Sequence, residues 1–255
     1  QMLERFPNSV VLYNIAGASN AGLMQFDAAI KSYKQAIKIK PDYADAHNNM
    51  GIALNHKGDL DAAINSYKQA LKIKPDYAEA YNNMGNIQKD KGDLEAAIES
   101  YKKAIKIKPD YAEAYNNMGN IQKEKGDLEA AIESYKKAIK IKPDYAQAHN
   151  NMGNIQKEKG DLDAAISSYK QALKIKPDWA EGYSDLGNAL LLINQTEQAL
   201  VSFEKAISLK KDLNTAISGL GNALLKKGEH SEGLDKLRQS EGSILFNIKS
   251  GLSIK

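Results

Sequence analysis

Cysteine is absent from the 255 residues, which excludes disulfides, thiolate metal sites and a cysteine nucleophile. That absence fits a reducing, cytoplasmic compartment. Aromatic residues are scarce, and 13 are tyrosine against four phenylalanines and one tryptophan. No apolar run approaches the ~20 residues that a bilayer-spanning helix needs, so no membrane segment is expected, and no secretory leader is visible. The chain opens Gln1-Met2-Leu3 and reads as a piece of something longer. Neither charge sign is in surplus: 35 basic and 32 acidic residues leave a net charge of +3, too even a balance to predict nucleic-acid binding from overall charge. The four histidines, His47, His56, His149 and His230, lack metal-binding spacing, so no metal is expected. There is no nucleophile elbow, phosphate loop or dinucleotide fingerprint. The carboxylates recur as regular surface charge rather than as an acid/base pair. The sequence therefore predicts neither an enzyme nor a cofactor.

What the sequence does have is a period. All six prolines, from Pro7 to Pro177, fall 34 residues apart. Gly17, Gly51, Gly85, Gly119, Gly153, Gly187 and Gly221 keep the same spacing, and so do six alanines from Ala29 to Ala199. Segments 78–111 and 112–145 differ at one position, Asp90 against Glu124. A fixed period of this length signals a stacked repeat architecture.

Within 78–111 two helical patterns follow one another. Ala80, Tyr81, Met84 and Ile87 lie three or four apart and form one apolar stripe. Leu94, Ala97, Ile98, Tyr101, Ala104 and Ile105 form a second, longer one. Gly92 between them suits a turn, and Asp93 is a good N-cap for the second helix. Pro109 cannot continue that helix, because it lacks an N–H and clashes with the preceding turn. Asp110 followed by Glu113 predicts an aspartate version of the capping box for the next helix. Gly85 and Ala97 are small enough for close helix approach, with Tyr81 and Tyr101 filling the space between. One helix pair buries too little apolar area alone, whereas stacked pairs cover each other.

At this point the chain resembles the tetratricopeptide repeat family. In segment 78–111 the resemblance rests on Tyr81, Met84-Gly85, Ala97, Tyr101, Ala104 and Pro109, in order and at the right period. It covers about residues 10–242 as seven repeats: 10–43, 44–77, 78–111, 112–145, 146–179, 180–213 and 214–242. Residues 1–9 read as the remnant of a preceding helix. Gln88, Gln122 and Gln156 depart from the family at a site that is often a bulky aromatic, and Lys211 replaces the terminal proline of repeat six. Repeat seven has Ile217, Gly233, Leu237 and Ser240 at the signature positions, the decay expected of a terminal cap. Residues 243–255 break the period and are open to three readings: a capping helix, a short strand, or the start of a further domain. The resemblance implies an all-α fold, a right-handed superhelical solenoid of tandem antiparallel helix pairs. It also implies that the first helix of each pair lines a concave groove where partners lie.

Glu79, Asn83, Asn86 and Asp90 share one face of a first helix, away from its apolar stripe. Asparagine recurs there in register. Asn49, Asn83, Asn117 and Asn151 form one row. Asn86, Asn120, Asn154, Asn188 and Asn222 form a second. Asn14, Asn48, Asn82, Asn116 and Asn150 form a third, nearer the helix–helix contact. An asparagine amide both donates and accepts, so a row of them can pair with the main chain of an extended peptide. The first row occupies the position of the asparagine ladder in the repeat domain of O-linked N-acetylglucosamine transferase, which it resembles. The competing reading is that the rows are solvated groove or hydrogen bonds between repeats, copied along by duplication.

The family's carboxylate clamp, which uses basic groove residues, is not expected here. Glu79 and Glu113 stand at a clamp lysine site, and Asn83, Asn117 and Asn151 stand at the arginine site. The groove also carries Asp45, Glu181, Asp90, Glu124 and Glu158, with Lys89, Lys123 and Lys157 beside them; it reads as mixed and somewhat acidic, so a neutral to basic peptide or protein partner is favoured. Lysines crowd the second helices, but Glu99 with Lys103 and Glu133 with Lys137 predict i, i+4 pairs on a solvated outer face. No aromatic residues interleave there to stack bases, so no nucleic acid is expected. His47 and His149 replace tyrosine at the first aromatic site, and Trp179 replaces Tyr145; packing accounts for all three. The sequence thus predicts a protein-interaction scaffold. The alternative is the substrate-recruiting repeat domain of a larger transferase-type enzyme, and self-association through open array ends is a further possibility.

Overall fold

The computed structural model describes residues 5–241 throughout and, beyond them, the backbone of 244–247 and 251–254. Residues 1–4, within the expected remnant of a preceding helix, lie outside the described residues. The chain divides into two compact units, at 125/126. Unit one holds α1 (Val10–Gly22), α2 (Phe26–Ile39), α3 (Ala44–His56), α4 (Leu60–Ile73), α5 (Ala78–Asp90), α6 (Leu94–Ile107) and α7 (Ala112–Glu124). Unit two holds α8 (Leu128–Ile141), α9 (Ala146–Glu158), α10 (Leu162–Ile175), α11 (Ala180–Leu192), α12 (Thr196–Leu209), α13 (Asn214–Lys227) and α14 (His230–Glu241). A two-stranded hairpin follows, β1 (Ile244–Asn247) and β2 (Gly251–Ile254), paired antiparallel from Ile244↔Ile254 to Asn247↔Gly251. Of the three readings left open for 243–255, the described backbone is therefore strand.

The expected helix pairs form as read. Asp93 caps α6, its carboxylate accepting from the Ala96 N–H at 3.2 Å. The capping box at Asp110 does not form: the N-cap of α7 is Tyr111, which makes no side-chain cap. Asp110 belongs instead to the turn after Pro109, so the helix starts one residue later than its carboxylates suggest. The turn inside each pair needs a left-handed residue. Gly58, Gly92, Gly126, Gly160 and Gly228 take it at φ between 80° and 96°. Met24 at φ 59° and Asn194 at φ 63° take the same position without that freedom. A left-handed L-residue costs about 1 kcal/mol, and Met24 is 76% exposed and so gains little from packing. Met24→Gly is expected to stabilise the protein by about 0.5–1 kcal/mol, measured by urea denaturation. A loss of stability would show that the methionine side chain makes contacts worth more than its strain.

Each pair closes on a glycine. A Cβ built on Gly85 would lie 2.7 Å from the Tyr101 ring, and one on Gly153 would lie 2.7 Å from Tyr169. Ala97, Tyr101 and Ala104 are fully buried around that contact. Within unit one, successive first helices α1, α3, α5 and α7 come into contact; within unit two, so do α9, α11 and α13. Successive second helices within a unit do not. The first helices therefore pack on the closer-spaced, inner side of each stack.

Exposed ion pairs link consecutive pairs: Lys91 to Asp61 and Lys125 to Glu95 at 2.5 Å in unit one, and Lys159 to Glu129 at 2.7 Å in unit two. Exposed pairs of this kind contribute little each. The expected Glu99–Lys103 pair is replaced: Glu99 bonds Lys102 at 2.9 Å, and the Lys103 ammonium sits 5.6 Å from the Tyr81 ring centroid. His47 and His149 pack as expected, each with Nε2 3.0 Å from a proline carbonyl oxygen, of Pro41 and Pro143. Trp179 caps the start of α11 with the Lys176 ammonium 5.5 Å from its ring centroid.

Candidate peptide-binding face

The asparagine rows lie on the first helices, and Asn49, Asn83, Asn117, Asn151, Asn86, Asn120, Asn154 and Asn188 are all half-buried. The third row, Asn48, Asn82, Asn116 and Asn150, is buried. The rows are tied to one another. In unit one the Asn49 amide donates to Asn14 Oδ1 at 3.1 Å, Asn83 to Asn48 Oδ1 at 3.3 Å, and Asn117 to Asn82 Oδ1 at 3.1 Å. Each bond joins one first helix to the next. The inter-repeat bonding set against the ladder idea is therefore present.

What each amide retains follows from counting its groups, two N–H donors and two acceptor lone pairs. Asn117 spends both donors, the second on Asn86 Oδ1 at 3.1 Å. Asn86 Oδ1 also accepts from the Tyr101 hydroxyl at 2.7 Å, which fills both its lone pairs and leaves its NH₂. Asn117 keeps its carbonyl oxygen. Asn83 keeps one N–H and its oxygen. Unit one thus presents donors and acceptors side by side on one face, each held in orientation by the bonds already made. In unit two the Tyr169 hydroxyl orients Asn154 in the same way at 2.8 Å.

The pattern changes in repeat six. Asp185 stands where the first row has asparagine, and it has no N–H to donate. The bond reverses: the Asn150 amide donates to Asp185 Oδ2 at 3.0 Å, and the buried Asn150 Oδ1 is left without a partner. Beyond it, Asn188, Thr215, Asn222 and Ser240 line a polar cleft of about 390 Å³.

The groove carboxylates are largely engaged. Glu79 pairs with Lys108 at 3.3 Å and Glu181 with Lys210 at 2.9 Å, while Asp45 accepts from the Tyr77 hydroxyl at 3.0 Å. The hydrogen bond and charge of Lys210 hold the Glu181 carboxyl below its ordinary range. The acidic cast read from the sequence is softened by these partners.

Two contacts escaped the sequence reading. Ser100 donates to Gln88 Oε1, and Ser168 to Gln156 Oε1, both at 2.6 Å. They explain why glutamine is accepted at the family's aromatic site. The orienting tyrosine was also missed; its signal is the 15-residue spacing of Asn86 to Tyr101 and Asn154 to Tyr169, across one helical hairpin.

A model of the TPR repeat matches residues 25–58, 53–92, 85–126, 119–160 and 153–193, and a model of the tetratricopeptide repeat matches 180–213. The chain belongs to the tetratricopeptide repeat family. No curated protein matches it. Among solved structures the tetratricopeptide repeat chain is similar to one in the crystal structure of the APC/C hetero-tetramer Cut9-Hcn1, with a TM-score of 0.77 at 19% identity. That match covers 88% of this chain but only 44% of the other. MamA matches at 30% identity with a TM-score of 0.56, over 66% of this chain and 92% of MamA. PilF of Pseudomonas aeruginosa matches at 16% identity with a TM-score of 0.73, over 81% and 94%. The tetratricopeptide repeats support a protein-interaction scaffold, and the neighbours share the fold. Among the described residues no helix is long and apolar enough to cross a membrane, and no group of three or more acidic or histidine side chains could hold a metal.

Proposed function

We propose that this tetratricopeptide array holds an extended peptide segment of a partner protein along its first-helix side through main-chain hydrogen bonds. On unit one such a segment would meet Asn49, Asn83, Asn117, Asn86 and Asn120; on unit two a segment would meet Asn151, Asn154 and Asn188. One observation carries the reading. After the bonds among the described residues are counted, Asn86 keeps its NH₂, and Asn83 keeps both a donor and an acceptor, on one oriented face. Such groups suit a peptide backbone and give low side-chain selectivity. The carboxylates on the same face, though softened by their partners, leave a neutral or basic segment favoured over an acidic one.

The test uses the full chain with both Asn83→Ala and Asn117→Ala, titrated with neutral, lysine-rich and glutamate-rich extended peptides. Asn83→Ala also removes one bond between repeats and Asn117→Ala two, so a stability loss of about 1 kcal/mol per bond is expected and must be measured in parallel. Binding of the neutral and lysine-rich peptides should weaken about tenfold, equivalent to about 1.4 kcal/mol. Unchanged binding by a folded double variant would remove these asparagines from the site. Tighter binding of the glutamate-rich peptide at moderate salt would overturn the charge preference.

A further inference from the structure

Repeat six departs from repeats three to five at three positions that meet in space, and at one of them, Val201, from every other repeat. Leu186 stands where Met84 and Met152 do, Leu190 where Gln88 and Gln156 do, and Val201 where Glu99, Glu133 and Ser167 do. In repeats three and five the glutamine is tied to a serine of the following helix. In repeat six the equivalent Ser202 bonds its own helix instead, donating to the Gln198 carbonyl oxygen at 2.8 Å. The result is an open cleft of about 360 Å³, lined by Leu186, Leu190 and Val201 with Lys170 of α10 at its rim. Leu186 and Leu190 are 7% and 2% exposed, whereas Val201 is 65% exposed. Every other second helix has a polar residue at the Val201 position: Lys31, Asn65, Glu99, Glu133, Ser167 or Asp235. Packing within the repeat therefore does not call for an apolar group there. Asn188, two residues from each leucine, lies on the opposite side of α11 and lines the separate polar cleft.

The charge at the rim is also altered. Lys102 and Lys136, the counterparts of Lys170, are bonded at 2.9 Å to Glu99 and Glu133, three residues earlier. Ser167 replaces that glutamate, and Lys170 meets no carboxylate among the described residues. Glu197, on the other side of the cleft, lies 3.7 Å from Lys227, a lysine it shares with Glu229 at 2.9 Å. An apolar floor beside an unspent ammonium selects a ligand that combines an apolar group with an anion.

We propose that the cleft between α10 and α12 is a second docking site, which takes one bulky aliphatic or aromatic side chain of a partner peptide with an acidic residue beside it. The size of the cleft suits a single side chain, and its position makes it independent of the asparagine face.

The experiment is an amide-shift titration of the isotope-labelled full chain with acetyl-Glu-Leu-Phe-Glu-Gly-amide, and with the same peptide carrying lysine for both glutamates. Shifts are expected in α11 and α12 around Leu186 and Val201, with the acidic peptide binding more tightly. Val201→Ser installs the residue of repeat five on an exposed surface and should weaken binding about fivefold or more. Leu190→Gln, which offers Ser202 the partner its counterparts have, should do the same. Lys170→Glu should reverse the preference between the two peptides. The proposal is overturned if millimolar acidic peptide shifts no resonance in α11 or α12. It is equally overturned if Val201→Ser, with a native spectrum, binds as tightly as the parent, or if the shifts fall on the asparagine rows instead.

Discussion

Replacing Tyr101 with alanine is expected to lower the unfolding free energy by about 3–5 kcal/mol, the usual cost of emptying a large aromatic site in a core. The ring is fully buried and lies against the backbone of Gly85, so close that even a methyl group there would clash. Alanine cannot fill that space. The hydroxyl bond to Asn86 is lost as well. In a stacked array each pair is stabilised mainly by its neighbours. A defect in repeat three should therefore broaden the urea transition followed by far-ultraviolet circular dichroism, as well as shift its midpoint. A loss below about 1 kcal/mol would mean that the stack collapses onto the vacancy, against the rigid packing described above.

Tyr101→Phe separates the ring from its hydroxyl. The ring contact with Gly85 survives, and the lost hydrogen bond should cost about 1 kcal/mol. Asn86 then keeps only its bond from Asn117. If the Asn86 amide belongs to the docking face, its looser orientation should weaken peptide binding while helix content stays unchanged. Packing and site are thus coupled through one phenol, because the residue that closes the helix pair also aims the amide.

That coupling marks where sequence reading stopped. Gly92, Asp93 and Pro109 were legible because turn, cap and stop are local chemistry, set by φ, a nearby N–H and a missing N–H. The misread cap at Asp110 is an error of one residue, since the Pro-Asp turn holds that carboxylate outside the helix. Glu99 was paired with Lys103 from helix geometry alone; the actual partner is Lys102, with Lys103 drawn across the hairpin to the Tyr81 ring. The asparagine face was legible from spacing. What each amide still offers was not, because the bonds run between residues 35 apart, as from Asn49 to Asn14 and from Asn117 to Asn82. That offset, one more than the repeat, is set by how closely successive first helices approach.

The protein is expected to unfold steeply in alkali and gradually in acid. Burial raises the hydroxyl pKa of Tyr67, Tyr101, Tyr135 and Tyr169 above the ordinary tyrosine value; Asp90 adds to the effect at Tyr101 and Asp185 at Tyr169. A group whose pKa is higher folded than unfolded contributes stability that is intact below its unfolded pKa and is lost as pH rises. Above about pH 10 each of these tyrosines should remove about 1.4 kcal/mol per pH unit, because the unfolded chain releases a proton that the folded chain keeps. Four such groups acting together make the alkaline limb steep. On the acid side Lys91, Lys125 and Lys159 hold Asp61, Glu95 and Glu129 below the ordinary carboxylate range. Their contribution is present above that range and lost as pH falls through it, but these pairs are solvent-exposed and screened, so the limb should be shallow. Circular dichroism and tyrosinate absorbance followed together through an alkaline titration provide the check, since ionisation of the four buried rings and loss of helix should coincide. Tyr67→Phe provides the control: the Tyr67 hydroxyl makes no hydrogen bond among the described residues, so the variant should lose little stability near neutral pH and flatten the alkaline limb by one proton. Tyrosinate absorbance that reaches the value for all 13 tyrosines while the helices stay intact would show that the buried rings ionise in place, which the closed packing of the helix pairs does not allow.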